Sequence, residues 1–392
     1  MINIAQVRAD TPSCENVLHF NNAGASLMPV PVFKALQRVL HDENTVGGYE
    51  AERRAQDDIQ AFYTEFAALL NAEAEEIAFV ENATRAWDMA FYGLHLKPGD
   101  RVITHASEYA SNYLALMQQS RRLGFDIDLV PSDAFGQIDL DALDSMISPD
   151  TKLIAITHVP TQGGLVNPAA GVGRVARKHG VLYLLDACQS VGQLDVDVAE
   201  IGCDILSGTG RKFLRGPRGT GFLYVRKAIL DQIDPPFVDL LSAKWTAADR
   251  FEFAHGARRF ENWESFVAGR VGLTEAVRYA RKTGLASIAA RVAVLAEELR
   301  AQLSTVKGVR VHDQGKQKCG IVTFTKDGIA PKAIADQLRV DGMNLSVSPI
   351  TCARLDLEPR GLDALARASV HYFNTEEEIG RFVDAIDRVS PF

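Results

Sequence analysis

Lys212 lies in the stretch ILSGTGRKFLRGPRGTGFLY, residues 205–224, where an apolar run gives way to a Gly- and Thr-rich turn. A strand is expected to end at Ser207, leaving the lysine held at a strand-to-loop junction ahead of a second Gly-rich stretch and another strand. Glycine turns let backbone amides approach an anion closely, and Ser207, Thr209 and Arg211 add donors. A lysine so placed can form a Schiff base with an aldehyde cofactor, above all where neighbouring cations lower its pKa. Arg211, Arg215 and Arg218 are such neighbours in sequence. Taken alone, the same residues read equally as a basic surface loop.

The second group of residues is in LYLLDACQSVGQLDVD, residues 182–197. An apolar strand is expected to end at Asp186, three residues before Gln189. The C-terminal edge of parallel strands is where open α/β sheets bind ligands. Behind a pyridine ring, a carboxylate there would keep the ring nitrogen protonated and make the ring an electron sink. Gln189 could donate to a ring oxygen. By itself, Asp186 also fits the role of a helix cap.

Together, Asp186, Gln189, the 207–212 turn and GPRGTGFLYV resemble the pyridoxal-phosphate enzymes of fold type I. More narrowly they resemble aminotransferase class V, the family of cysteine desulfurases, isopenicillin N epimerase and related C–S lyases. The resemblance runs over nearly the whole chain. It implies an α/β fold with a mostly parallel central sheet and a smaller α+β C-terminal domain. It also implies pyridoxal 5'-phosphate, an amino acid substrate, a Schiff base on Lys212 and a homodimer with the site near the subunit interface.

Further segments carry the resemblance position by position. HFNNAGASLMP, residues 19–29, is similar to a substrate-proximal segment and puts Asn22 forward. ENATRAW, residues 81–87, resembles the phosphate-binding turn, with Ala83 and Thr84 offering amides and a hydroxyl at a helix N-terminus; Asn82 or Thr84 could equally be a plain N-cap. SEYASNY, residues 107–113, matches the segment whose aromatic residue stacks on the cofactor. Desulfurases have His there and this chain has Tyr109, a poorer proton carrier near neutrality. In THVPTQGGLVNP, residues 157–168, Thr161 occupies the position that hydrogen-bonds the ring's phenolic oxygen, while His158 reads as a satisfied structural histidine. RRFENWES, residues 258–265, resembles the segment reaching the partner subunit's phosphate, but has Asn262 and Trp263 where the family has Gly-Thr. LARASVHYFNTEEEI, residues 365–379, resembles the C-terminal signature, whose Arg367 would bind the substrate carboxylate.

On this reading Lys212, once freed, is the base at Cα. Transamination, racemisation, β-elimination and desulfuration would then share one carbanion. Tyr109 in place of His points away from desulfuration and towards lyase, epimerase or aminotransferase chemistry. So does the loop SVSPITCARLDLEPRG, residues 346–361, which lacks the flanking pattern of a desulfurase cysteine. Desulfuration through Cys352 is the alternative, since that thiol falls close to the family's nucleophile position upstream of Arg367. Two further rivals are a non-catalytic binding protein on the same scaffold and a dinucleotide binder, which the missing GxGxxG after a first strand disfavours.

These residues need elements to position them. Strands are expected at 77–80, 101–104, 126–130, 152–157, 181–185, 204–207 and 221–225, with helices at 85–94, 111–123 and 169–179 between them. Helices are also expected at 32–44, 51–70, 265–282 and 286–303, with 231–258 an irregular connection. Three parts follow: an arm over residues 1–20 packing with the small domain, a large cofactor-binding domain over 21–280, and a small domain over 281–392. The 392 residues are 47% hydrophobic and 23% charged, enough for a sizeable core. With 42 basic and 50 acidic residues the net charge is −8, which argues against nucleic acid or an anionic membrane as partner. No secretion signal and no membrane span is expected. Five scattered cysteines without a CxxC pair suit free thiols in a reducing cytoplasm and no metal knuckle.

Overall fold

A computed structural model describes residues 2–390. Seven strands form the central sheet, in the order Ile77–Val80, Gly221–Val225, Ile205–Thr209, Leu182–Asp186, Thr151–Thr157, Arg101–His105, Asp126–Val130. All run the same way except Gly221–Val225, which is antiparallel to both its neighbours. The inner strands are apolar runs buried on both faces, as parallel strands covered by helices must be. The expected strands therefore recur with shifts of one or two residues.

Register decides what the sheet presents. Asp186 pairs with Thr157 on one side and with Ser207 on the other. Three polar residues thus meet at the C-terminal ends of three adjacent parallel strands, where the fold opens a crevice. The helix Ala83–Phe91 begins beside them, and Gly221 permits its approach. A Cβ at Gly221 would lie 2.7 Å from the Asn82 carbonyl carbon.

The helices Val267–Thr283 and Leu285–Leu303, broken at Gly284 (φ +92°), lead to a four-stranded antiparallel sheet. Its order is Val309–Val311, Ile321–Lys326, Ala364–Ser369, Ser346–Pro349. The last helix, Glu376–Arg388, starts with a reciprocal capping box between Thr375 and Glu378. The N-terminal segment crosses to this unit. Leu18–His19 pairs in parallel with Met343–Asn344, Arg8 lies 2.7 Å from Glu378, and Phe20 stacks on Phe382 at 4.4 Å.

Two expectations are corrected. Residues 51–70 are not one helix; Gly48–Arg54 and Gln56–Leu70 meet at Ala55. Residues 231–258 are not irregular throughout, because Ala243–Ala247 and Arg250–Phe253 form an antiparallel hairpin. That hairpin exposes Trp245 and Phe251, and Phe237, Leu240 and Trp263 are exposed in neighbouring stretches of the chain. Among the described residues no helix is long and apolar enough to cross a membrane. None of the five cysteines is paired, and among the described residues no group of three or more metal-ligating side chains forms.

Candidate active site

A cavity of about 420 Å³ opens at the strand ends. Ala83, Thr84, Tyr109, Thr161, Asp186, Gln189, Thr209, Arg211 and Lys212 all line it. The sequence pattern therefore brings together nine of its twelve candidate residues. Ser207, Asn22 and Arg367 are placed differently.

Lys212 follows the strand Ile205–Thr209 by three residues and is 8% exposed. Burial lowers its pKa, with the charges of Arg211 and Arg367 adding to the effect and those of Cys188 and Asp186 opposing it. Asp186 is buried, and that burial raises its pKa. The Cys188 amide (2.8 Å), the Asn112 amide (2.8 Å) and the charge of Lys212 pull it back. Asp186 caps no helix; the chain turns after it instead.

At the opposite end, Asn82 is the N-cap of Ala83–Phe91, its side chain accepting from the Arg85 amide at 2.9 Å. The amides of Ala83 and Thr84 belong to the first turn and have no helical carbonyl to bond. Helix polarity favours an anion there. Arg211 Nη1, Ser207 Oγ, Gln189 Oε1 and Arg367 Nε are buried atoms with no partner. Buried polar atoms are normally paired, so the two orphans on cavity-lining residues, Arg211 Nη1 and Gln189 Oε1, point to a polar ligand.

Thr161 links the cavity to the four-stranded sheet through Arg367. Its hydroxyl oxygen accepts from Arg367 Nη1 at 2.5 Å and from Gln189 Nε2 at 3.4 Å, which leaves its own O–H to donate. Gln189 Nε2 also donates to the Ala23 carbonyl at 3.1 Å. Its free atom is thus the carbonyl oxygen, an acceptor, and not the donor expected from sequence. Arg367 is 7% exposed, and burial lowers its pKa to about 10.

Asn22 does not line the cavity. Its amide nitrogen donates to the Ser369 carbonyl at 2.7 Å and its oxygen accepts from Ser26 at 2.7 Å, so its capacity is taken up within the protein. His158 is not satisfied: Nδ1 is buried without a partner, and burial lowers the ring's pKa to about 4. The basic cluster also divides. Arg211 and Lys212 face the cavity, Arg218 is exposed, and Arg215 is buried elsewhere, at φ +61°. Its guanidinium donates to Leu27 O, the Tyr372 hydroxyl and the Thr11 hydroxyl. In 258–265, Glu261 is buried under Tyr63 and the Phe79 amide, whereas Trp263 is 56% exposed.

Sequence reasoning passed over Asn112, Thr157 and Cys188, all of which line the cavity. Asn112 and Thr157 sit inside the quoted segments, Asn112 about one helical turn after Tyr109 and Thr157 at the end of its strand, and those positions were the available signal. Cys352, by contrast, lies half-buried in the short turn Ile350–Cys352 outside the lining, where its charge would reach Arg367.

The model of the aminotransferase class-V family matches residues 18–382. A protein of Methanothermobacter thermautotrophicus named as a probable cysteine desulfurase is 29% identical over 98% of this chain and 97% of its own. One of Xylella fastidiosa with the same name is 31% identical over 98% and 95%. The apo cysteine desulfurase of Thermococcus onnurineus NA1 superposes with a TM-score of 0.92 at 26% identity, covering 99% of this chain and 98% of the other.

Proposed function

This chain belongs to the aminotransferase class-V family, and from that membership we propose that it is a pyridoxal-phosphate enzyme cleaving the Cβ–S bond of a sulfur-bearing α-amino acid. The observation that carries the reading is the buried, cation-flanked Lys212 sharing one cavity with the buried carboxylate of Asp186. The remaining residues fit the cofactor's groups. Ala83, Thr84 and Arg211 offer donors to a phosphate, Asp186 an acceptor to a protonated ring nitrogen, and Thr161 a hydroxyl to the phenolic oxygen. Tyr109, at the start of the helix Ala110–Leu123, offers an aromatic face. When bound, the ring supplies a sink for the electron pair released at Cα.

The chain's own residues do the rest. Arg367 would hold the substrate carboxylate and so orient the bonds at Cα. Lys212, its pKa lowered by burial, is available as the neutral amine that takes the Cα proton. Carbon–sulfur cleavage is the shared chemistry of the desulfurases this chain resembles. With cysteine, elimination consumes water and gives pyruvate, ammonia and sulfide.

A second reading has the sulfur pass to Cys352, giving alanine and a protein persulfide. It is favoured by the position of that thiol, within reach of the Arg367 charge on a turn packed against Ala110–Leu123. The same proposal includes a homodimer, supported by the exposed aromatic side chains of Trp245, Phe251 and Trp263. It also includes the division into an arm, a large domain to about residue 280 and a small domain, and a cytoplasmic setting suited to five free thiols.

The test is direct. The purified protein supplied with the cofactor is expected to show a visible absorption band that Lys212→Ala removes or shifts. L-cysteine and L-cystine are then added. Pyruvate with sulfide supports elimination. Alanine, with Cys352 heavier by one sulfur atom, supports transfer. Keto acid without sulfide, or a D-isomer alone, would replace both with transamination or epimerisation.

A further inference from the structure

Behind Asp186 lies a second buried carboxyl that the chemistry above does not use. Glu108 is 3% exposed. Its Oε1 accepts from the Thr157 hydroxyl (2.5 Å), the Asn112 amide (2.8 Å) and the Tyr109 backbone N–H (2.8 Å). Its Oε2 has one polar contact among the described residues, the Thr104 hydroxyl at 3.2 Å. The same Asn112 nitrogen donates to Asp186 Oδ2 at 2.8 Å. One neutral amide therefore joins two buried carboxyls.

The distribution of donors is lopsided. A carboxylate wants donors on both oxygens, whereas a carboxylic acid wants donors on one and an acceptor on the other. Glu108 has three donors on Oε1, and on Oε2 a hydroxyl that can accept. Two carboxylates sharing one amide in a dry site cannot both ionise cheaply. The elements packed on Glu108 bring it no cation. The strand Arg101–His105 contributes Thr104, the strand Thr151–Thr157 contributes Thr157, and the helix Ala110–Leu123 contributes Asn112. His105 turns instead to Ser107 and Ser132, and His158 is held neutral by its burial. Lys212 lies on the Asp186 side, which also has the Cys188 amide.

We propose that Glu108 is the proton-holding partner of Asp186, protonated up to neutrality and ionised above it, so that in the protonated form Asp186 alone carries the charge facing the cofactor nitrogen and Tyr109 is pinned by its own backbone to that pair. Glu108 is thus a positioning residue, acting through Asn112 and Tyr109. The inference rests on the cofactor reading above. Burial, which pushes the Glu108 carboxyl up to about 7, is consistent with it.

The experiment is a pH titration of the cofactor's visible band in wild-type and Glu108→Gln holoenzyme, across about two units either side of neutrality. A glutamine reproduces the acid's shape, with its amide NH₂ facing Thr104. The wild-type band is expected to change with an apparent pKa near 7, and the variant's to stay flat. A variant that titrates like wild type, or that needs the ionised carboxyl to show any band, overturns the proposal. Failure of the cofactor reading looks different, because then wild type itself shows no band. In that case infrared spectroscopy of the unloaded chain decides. A protonated-carboxyl C=O stretch is expected on the acid side of neutrality in wild type and absent in Glu108→Gln. Its absence from wild type overturns the proposal, whatever the variant does.

Discussion

Arg367 Nη1 and Thr161 Oγ1 lie 2.5 Å apart, joining a strand of the small C-terminal sheet to a loop at the edge of the large one. The contact aims a guanidinium that has no carboxylate of its own. Thr161→Val removes this acceptor but leaves the weaker bond from Arg367 to the Thr161 carbonyl at 3.2 Å. We expect KM for the amino acid to rise about tenfold, equivalent to about 1.4 kcal/mol, with a visible band still present but shifted by loss of the hydroxyl offered to the phenolic oxygen. Steady-state kinetics check it; an unchanged KM would remove Arg367 from substrate binding.

Asp186→Asn should separate holding the cofactor from activating it. The amide keeps the shape but gives up the negative charge opposite the ring nitrogen. Turnover is expected to fall about 10³-fold, within the range for a lost proton-holding group, while far-ultraviolet circular dichroism stays native. A variant within tenfold of wild type would mean the ring is activated by something else.

Arg215 is the structural member of the basic cluster. It is 1% exposed and lies over the rings of Phe373 (4.6 Å) and Tyr372 (5.1 Å). Its three hydrogen-bond acceptors are all neutral. Arg215→Ala would orphan them and leave a cavity, at about 3–5 kcal/mol. Urea unfolding measures this, and a loss below about 1 kcal/mol would contradict the packing.

Acid should destabilise the fold early. Burial holds His19, His105 and His158 each at about 4. In the unfolded chain they take up protons near 6.5, so the stability they contribute is full above about pH 6.5 and is lost as pH falls through 4. Each contributes at most about 3 kcal/mol. Glu108, Asp88 and Asp186, whose carboxyl pKa values burial raises, act in the opposite sense, while burial lowers His371 and His312 as well. Urea midpoints should fall steadily from about pH 6.5 to pH 4, and His105→Gln should shallow the slope.

The sheet's chemistry-bearing edge was readable because the strands ending at Thr157, Asp186 and Ser207 are unbroken apolar runs that stop at polar residues. The hairpin of 243–253 was not, because almost every side chain in it is exposed and no alternation faces a core. Asn22 was misjudged since its partner, the Ser369 carbonyl, is a backbone group that no residue pattern announces. Glu108 and Asn112 are four residues apart at a helix start, but their meaning arises only when the separate strands carrying Thr157 and Asp186 close over them.

The bond from Asn22 to Ser369 spans 347 positions of chain. At about 5–20 residues per second, a ribosome needs roughly 20–70 s to deliver the second partner after the first. The segment beside Gln189 and Arg211 must wait that long in the nascent chain, although much of the central sheet can already pair. Loop closure over such a separation is slow and comes late. Arg367, proposed to hold the substrate carboxylate, is therefore among the last parts of the site to be delivered, and a chain stalled before it would carry the cavity's lining residues without that guanidinium.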